Sequence, residues 1–95
     1  MTPFSDDQIE TALTGLPGWS QEGEAIVKSY EFADFDAAIA FINRASGCIN
    51  ELDHHPEWTN VYNRVDIRLL SHDAGGVTNR DVQLARILER LAAAS

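Results

Sequence analysis

Three histidines, all that the chain contains, stand at His54, His55 and His72. An imidazole has an unperturbed pKa of about 6.5, so it can both give and take a proton near neutral pH. Two or three such groups around one substrate could perform general acid and base catalysis, which contributes roughly 10² to 10⁴ in rate. The histidines flank a segment with a strand pattern, so a shared site requires the fold to bring two loops together.

Metal binding and simple surface roles compete with proton transfer as interpretations of these histidines. Adjacent histidines plus a third His or an Asp can ligate zinc. However, neighbouring side chains diverge, and the sequence has no HxxxH, no HxH and no pair of cysteines. The spacing therefore favours proton transfer over a metal centre. A third interpretation makes His54 and His55 capping or surface residues and His72 an ordinary loop residue.

Composition and charge exclude several classes of protein. The chain has 95 residues, 44% of them apolar and 23% charged, so we expect a single globular domain over residues 1–95. Its formal net charge of -8 would repel a phosphate backbone, which argues against direct nucleic-acid binding. No stretch approaches the roughly 18 apolar residues of a membrane span. The single Cys48 can form no internal disulfide, which fits a reducing, cytoplasmic location.

Hydrophobic periodicity predicts the elements that position the histidines. They are a helix from Ser5 to about Thr14, a hairpin from Trp19 to Phe32 that turns at Glu22-Gly23-Glu24, a helix from Asp34 or Asp36 to about Leu52, a strand from Asn60 to Leu70, and a last helix opened by Thr78. This order, α-β-β-α-β-α, has too few strands to close a barrel, so the helices must cover one face of a small antiparallel sheet. The predicted fold class is therefore α+β, a two-layer sandwich. Lys28 is the one charged residue on the apolar face of the second strand.

Local signals place the histidines at the ends of these elements. Pro56 cannot continue a helix and pushes His55 towards extended geometry, so the histidine pair should form a corner after the second helix. The pair Gly75-Gly76 predicts a tight loop that needs positive φ or a close backbone approach. The spacing of Thr78 and Asp81 predicts a capping box at the start of the last helix.

The same region carries a longer pattern of residue types. It consists of His54-His55-Pro56-Glu57-Trp58, Asn60-Val61-Tyr62-Asn63, Ser71-His72-Asp73 and Gly75-Gly76-Val77-Thr78, and it ends at Asp81. This run resembles the signature of the pterin-4a-carbinolamine dehydratases in residue type and in spacing. Weaker similarity at Trp19 and from Tyr30-Glu31-Phe32 to Phe35 extends the resemblance over nearly the whole chain.

The resemblance implies a small α+β enzyme with a defined reaction. Such an enzyme, acting without metal or cofactor, removes water from a 4a-hydroxytetrahydropterin to give the quinonoid dihydropterin in tetrahydrobiopterin recycling. The catalytic residues would be His54, His55 and His72, and we favour His55 and His72 as acid and base without assigning which is which. The implied pterin contacts are Asp53, Leu70, Ser71, Asp73, Asp81, Asn50 and Trp19.

Several of these assignments have an alternative. Trp19 is either an apolar wall for the flat ring or a core residue, and Asp81 either contacts the site or only caps the last helix, or does both. Asn50 stands one helical turn before the first histidine, where the family commonly has an acidic residue. An amide can hydrogen-bond but cannot take a proton or balance a charge. The motif residues Pro56, Glu57 and Trp58 are interpreted mainly as structural.

The resemblance also implies binding partners and a second class of function. Animal members of the family bind the dimerisation helices of a transcription factor, so a protein-interaction module, or a pterin-binding protein with little turnover, is the alternative. Family members form dimers or tetramers, so we expect a homodimer or homotetramer. The expected ligand is a small-molecule pterin, with no nucleic acid and no membrane as partner.

Overall fold

A computed structural model describes residues 2–94, and in this part of the chain three helices and four strands follow one another. They are α1 (Asp6–Leu13), β1 (Ser20–Glu22), β2 (Ala25–Glu31), α2 (Phe35–Leu52), β3 (Glu57–Val61), β4 (Arg64–Leu69) and α3 (Asn79–Ala93). The strands form an antiparallel sheet in the order β1-β2-β4-β3. The predicted α+β class is confirmed. None of the helices described combines the length and apolar character needed to cross a membrane.

The sheet has a buried inner face and a polar outer face. The inner face of β4 presents Val65, Ile67 and Leu69, each at most 2% exposed, while the residues between them are charged. In β2, Ile26 and Tyr30 pair with Leu69 and Val65 and continue the same face. Because side chains alternate along a strand, the charged positions of β4 must point away from the helices.

Helices α2 and α3 pack on the inner face of the sheet and against each other. The buried apolar residues of these helices join the sheet residues in one core cluster; they are Ala38, Phe41, Ala45 and Ile49 in α2 and Val82, Leu84, Ala85 and Leu88 in α3. The ring of Phe41 in α2 lies 5.5 Å from that of Tyr30 and 5.0 Å from that of Phe32, measured between centroids. This aromatic contact connects the helical layer to the sheet.

The starts of all three helices are capped as the sequence predicts. Ser5 closes a capping box with Gln8 in α1, and the side chain of Asp34 accepts the N–H of Ala37 in α2. Thr78 and Asp81 form the capping box of α3. Each cap satisfies backbone donors that have no partner inside the helix.

The predicted single strand from Asn60 to Leu70 is wrong, because this segment is the hairpin of β3 and β4, joined by Tyr62-Asn63. Val61 pairs with Arg64, so it lies on the outer face with 53% of its surface exposed rather than with the core residues of β4. Tyr62 has a φ of 52°, a conformation that hairpin turns usually give to glycine or asparagine. The order of elements is therefore α-β-β-α-β-β-α.

Lys28, the charged residue on the inner face of β2, is paired with Glu89 of α3. Its Nζ lies 2.5 Å from Oε1 of Glu89 and 4.7 Å from the centroid of the Tyr30 ring. Trp19 donates its Nε1–H to the same oxygen at 3.0 Å, and the Tyr30 hydroxyl also donates to it. Trp19, Lys28, Tyr30 and Glu89 form what we name the Glu89 cluster.

Two pKa values in the Glu89 cluster depart from their ordinary range. Partial burial opposes ionisation of Glu89, but the hydrogen bonds from Lys28, Tyr30 and Trp19 together outweigh it and lower the pKa of the carboxyl. Burial, followed by the hydrogen bond to Glu89, raises the pKa of Tyr30 far above its usual value. The cluster therefore consists of an ionised carboxylate held by three donors.

Candidate active site

The loop after β4 is closed by its own backbone and carries His72. The N–H of Ser71 donates to the carbonyl of Gly76 at 2.9 Å, and the N–H of Gly75 donates to the carbonyl of Ser71 at 2.9 Å. Gly75 has a φ of 75°, and a Cβ on Gly76 would lie 3.0 Å from Cβ of Pro3. One glycine thus supplies the positive φ and the other the close approach, as the sequence predicts.

The end of α2 positions the histidine pair. Asp53 is its C-cap, exposed and in the left-handed conformation with a φ of 51°, which Asp tolerates better than most residues. After this residue the chain leaves the helix axis, and His54 turns inward, with 7% of its surface exposed, while His55 faces outward. The predicted corner is confirmed. Asn50 contacts His55, with its Oδ1 3.1 Å from Nε2 of the ring.

Asp81 connects the buried histidine to the start of α3. Its carboxylate is fully buried, and its Oδ1 lies 2.5 Å from Nε2 of His54. Its Oδ2 accepts the N–H of Thr78 at 2.8 Å and the hydroxyl of Ser71 at 2.9 Å. Asp81 therefore caps α3, as one of the two alternatives predicts, and it also contacts His54.

His72 lies on the surface and is held by Glu57. Its side chain is 71% exposed, and its Nε2 is 3.3 Å from Oε2 of Glu57. The other carboxylate oxygen of Glu57 is 3.7 Å from Nε of Arg68. Glu57 begins β3 two residues after His55, so its carboxylate joins the two histidine loops. The sequence interpretation of Glu57 as mainly structural missed this contact, because the contact depends on a strand that begins at Glu57.

Three further sequence-predicted residues, Asp73, Leu70 and Trp19, have other surroundings. Asp73 is exposed and accepts a 2.6 Å hydrogen bond from Nη2 of Arg80, which lowers the pKa of its carboxyl. Leu70 is half-buried at the end of β4. Trp19 is 6% exposed, and its described contacts are with Tyr30 and Glu89, so the structure favours the core interpretation for this residue.

An open cleft of about 690 Å³ lies over the outer face of the sheet beside the His72 contact. Glu57 and Arg68 contribute to its lining, but none of the three histidines does. The histidines stand instead at the rim of the sheet, where β3 begins and β4 ends. Among residues 2–94, no three or more His, Cys, Asp or Glu side chains are grouped so that they could hold a metal ion.

The arrangement is suited to moving protons at a surface rim. Nε2 of His55 contacts the amide oxygen of Asn50, and Nε2 of His72 lies 3.3 Å from a carboxylate oxygen of Glu57. Two exposed imidazoles in adjacent loops can give one proton and take another.

Comparisons with known proteins agree over nearly the whole chain. The model of a family described as Pterin 4 alpha carbinolamine dehydratase matches residues 2–91. The chain is 48% identical over 91 residues to a protein of Nitrobacter winogradskyi, covering 94% of this chain and 90% of that protein. It is 45% identical over 92 residues to a protein of Thermomicrobium roseum, covering 97% and 99%. Both relatives have names that assign them to the pterin-4-alpha-carbinolamine dehydratases.

A solved structure is similar to the same extent. It is a crystal structure from Brucella melitensis described as a transcriptional coactivator/pterin dehydratase. It matches this chain with a TM-score of 0.93 at 40% sequence identity, covering 96% of this chain and 99% of the other.

Proposed function

The chain belongs to the pterin 4 alpha carbinolamine dehydratase family, and from this membership we propose that it removes water from a 4a-hydroxytetrahydropterin to give the quinonoid dihydropterin. It is thus an enzyme of the hydro-lyase class. The product would be reduced to the tetrahydropterin, which places the reaction in tetrahydrobiopterin recycling. The catalytic part of the proposal is carried by one observation, the joining of the His55 and His72 loops through Glu57.

The proposed elimination needs one proton donor and one proton acceptor. Carbon 4a of the substrate carries a hydroxyl and is bonded to a ring nitrogen that bears a hydrogen. A general acid protonates the hydroxyl, which leaves as water when the C–O bond breaks. A general base takes the N–H proton, whose electron pair forms the C=N bond. His55 and His72 supply these two roles, and both rings are exposed, so solvent can restore their starting protonation after each turnover.

We propose His54 as the third imidazole of the site. The proposed pterin contacts are those implied by the family resemblance, namely Asp53, Leu70, Ser71, Asp73, Asp81, Asn50 and Trp19. The described geometry supports Asn50 most directly, because its side chain contacts His55. It supports Trp19 least, since the indole donates to Glu89 in the core.

A direct assay tests the proposed reaction. Chemically prepared 4a-hydroxytetrahydropterin is added to the protein, and its dehydration is followed by ultraviolet absorbance against a buffer blank. We expect acceleration by the wild-type chain and a fall in kcat of roughly 10² to 10⁴ in His55→Ala and in His72→Ala. Asn43→Ala, an exposed position on α2, is the matched control and should keep full activity. Equal rates with and without the protein would contradict the proposal.

A protein-interaction function is the second candidate. The Brucella melitensis protein is described as a transcriptional coactivator as well as a dehydratase. In the described part of this chain the exposed large apolar residues are Phe35, Val61 and Tyr62. Pterin binding by a wild-type protein that shows no turnover would favour this candidate or a pterin-carrying role over the enzyme.

The assembly and location that we propose follow the sequence expectations. We propose a homodimer or homotetramer in the cytoplasm, where the lone Cys48 suits a reducing compartment. The net charge of -8 argues against direct contact with nucleic acid. Light scattering on the intact chain measures the subunit number, and a monomer at micromolar concentration would contradict this part.

A further inference from the structure

We propose that Asp81 is a positioning residue that selects the tautomer of His54, and that Ser71 and Thr78 hold Asp81 in place for this task. The inference rests on the proposed function and deepens it by giving His54 a role distinct from those of His55 and His72. It starts from the buried network of Ser71, Thr78, Asp81 and His54, which are respectively 1%, 5%, 0% and 7% exposed.

The hydrogen bonds of this network run in one direction. The Ser71 hydroxyl has a single hydrogen, and it donates to Oδ2 of Asp81 at 2.9 Å. The 2.8 Å bond between Oγ of Ser71 and Oγ1 of Thr78 must therefore take its hydrogen from Thr78. The chain of donors thus leads from Thr78 through Ser71 to Asp81, and the backbone N–H of Thr78 adds a further donor to the same carboxylate oxygen.

The remaining carboxylate oxygen of Asp81 fixes the hydrogen on His54. An ionised carboxylate can only accept, so Nε2 of His54, 2.5 Å from Oδ1, must be the donor. In the neutral ring the hydrogen therefore lies on Nε2, and Nδ1 is an acceptor. His54 is thereby prepared to accept a hydrogen bond from a donor on the pterin, such as a ring N–H or the 4a hydroxyl.

Helix capping alone does not account for this arrangement. The capping box of α1 uses the neutral Gln8 at the position equivalent to Asp81, and Gln8 is exposed. A capping side chain needs one oxygen for the backbone N–H, whereas Asp81 uses its second oxygen on a histidine from a different loop. Burying a carboxylate completely is costly unless donors surround it, and here three of them do.

The test compares Asp81→Asn with the wild-type protein in two measurements. Nitrogen chemical shifts of ¹⁵N-labelled histidine in the ligand-free protein report the tautomer of His54, whose signals are assigned by their loss in His54→Gln. We expect the Nε2–H form in the wild type and a population of the Nδ1–H form in Asp81→Asn. We also expect kcat to fall by about 10- to 100-fold, as for other groups that orient a functional imidazole, with a much smaller change in KM. Asp34→Asn, which makes the same change of charge at the cap of α2, is the control and should change neither.

The possible results separate this inference from the proposed function. An unchanged tautomer with unchanged kcat in Asp81→Asn, or an Nδ1–H form of His54 in the wild type, would overturn it. If Asp81→Asn does not fold, Ser71→Ala removes one donor only, and it should shift the tautomer partly while Ser71→Thr retains the wild-type form. No effect of Ser71→Ala would then count against the inference. If the wild-type protein shows no dehydration, the proposed function fails, and the tautomer measurement still decides the role of Asp81.

Discussion

The three histidines contact three different oxygen-bearing groups: a buried carboxylate for His54, an amide for His55 and an exposed carboxylate for His72. Chemically identical side chains therefore meet different surroundings within one rim of the sheet. The buried partner fixes a hydrogen in place, whereas the exposed partners leave the ring free to exchange protons with solvent. Environment, rather than residue type, is what divides the proposed roles.

Replacing Glu57 by glutamine should weaken catalysis modestly. The Glu57–His72 pair is largely exposed, and such pairs contribute about 0.2–1 kcal/mol, which corresponds to a loss in kcat of at most about fivefold. Where His72 is protonated, the difference from wild type should shrink at high salt, because salt screens exposed charges. The measurement is kcat at low and high ionic strength, with Glu10→Gln on the exposed side of α1 as the control. A loss as large as that of His72→Ala would contradict this account.

At the residue scale, the motif drew attention to the histidines and Asp81, but two contacts could not be predicted from it. The His72–Glu57 contact depends on a strand that starts at Glu57, whereas the predicted strand began at Asn60. Asn50 was expected beside the first histidine because of helical spacing. That spacing ends at Asp53, whose left-handed conformation turns the chain, so Asn50 contacts His55 instead.

At the scale of elements, the turn between β3 and β4 shows why one strand was predicted where two exist. Asn-Gly or Asp-Gly would have marked a two-residue hairpin, but the turn has Tyr62-Asn63. Val61, Val65, Ile67 and Leu69 also keep the same parity across the turn, which imitates one continuous alternation. The helices were predicted well because their periodicity and capping residues act locally, within a few residues of each other.

Tyr62→Gly should stabilise the protein. The left-handed conformation costs an ordinary residue about 1–2 kcal/mol, while glycine loses about 0.5–1 kcal/mol more than alanine through unfolded-state entropy. Tyr62 is 64% exposed, so little packing is lost, and we expect a gain of about 0.5–1 kcal/mol in the free energy of unfolding by urea titration. Tyr62→Ala keeps a Cβ and should not gain stability. A destabilised glycine variant would show that the ring, not the backbone, matters here.

The Glu89 cluster should make stability depend on pH with a definite sign. The pKa of Glu89 is lower in the folded protein than its usual value of 4.5. Its stabilising contribution is therefore complete above that value and is lost as the pH falls through the lowered pKa. We expect Glu89→Gln to cost about 1–3 kcal/mol at pH 7, as for hydrogen bonds to charged groups, and much less in strong acid.

Urea unfolding of the wild-type protein and of Glu89→Gln, from pH 7 down to strong acid, measures the difference in their free energies of unfolding. Glu10→Gln, an exposed acid in α1, is the control, and its difference from wild type should stay near zero throughout. A Glu89→Gln difference that grows as the pH falls would contradict the assignment.

For the whole molecule, the contact of Phe41 in α2 with Tyr30 of β2 and with Phe32, the residue after β2, holds the two layers together. Phe41 is fully buried between Tyr30 and Phe32, so Phe41→Ala should cost about 3–5 kcal/mol, a large part of the 5–15 kcal/mol typical of a small protein. Phe35→Ala, at a position that is 45% exposed, is the control and should stay within about 0.5 kcal/mol. Thermal unfolding followed by circular dichroism measures both. A loss below about 1 kcal/mol for Phe41→Ala would show that the core collapses around the cavity.

The layered architecture followed from the sequence because too few strands were present to close a barrel. The arrangement of the site at the rim of the sheet could not be predicted in this way. The loops after α2 and β4 come together because β3 and β4 lie side by side at one edge, and this pairing can be predicted only if the hairpin is recognised in the sequence. The meeting point of the loops after α2 and β4 is therefore determined by the whole sheet rather than by any one motif.

Because Asp81 both caps α3 and contacts His54, local unfolding at the start of α3 can impair the site while the spectrum of the protein hardly changes. When the first turn of α3 frays, the carboxylate moves with it and releases the ring of His54, although the core stripe further along the helix stays packed. Far-ultraviolet circular dichroism, dominated by the intact helices, would hardly register such an event. Mild heating, or a weakened cap such as that of Thr78→Ala, should therefore lower turnover several degrees below the melting transition, so that a preparation judged native by its spectrum can already have lost most of its activity.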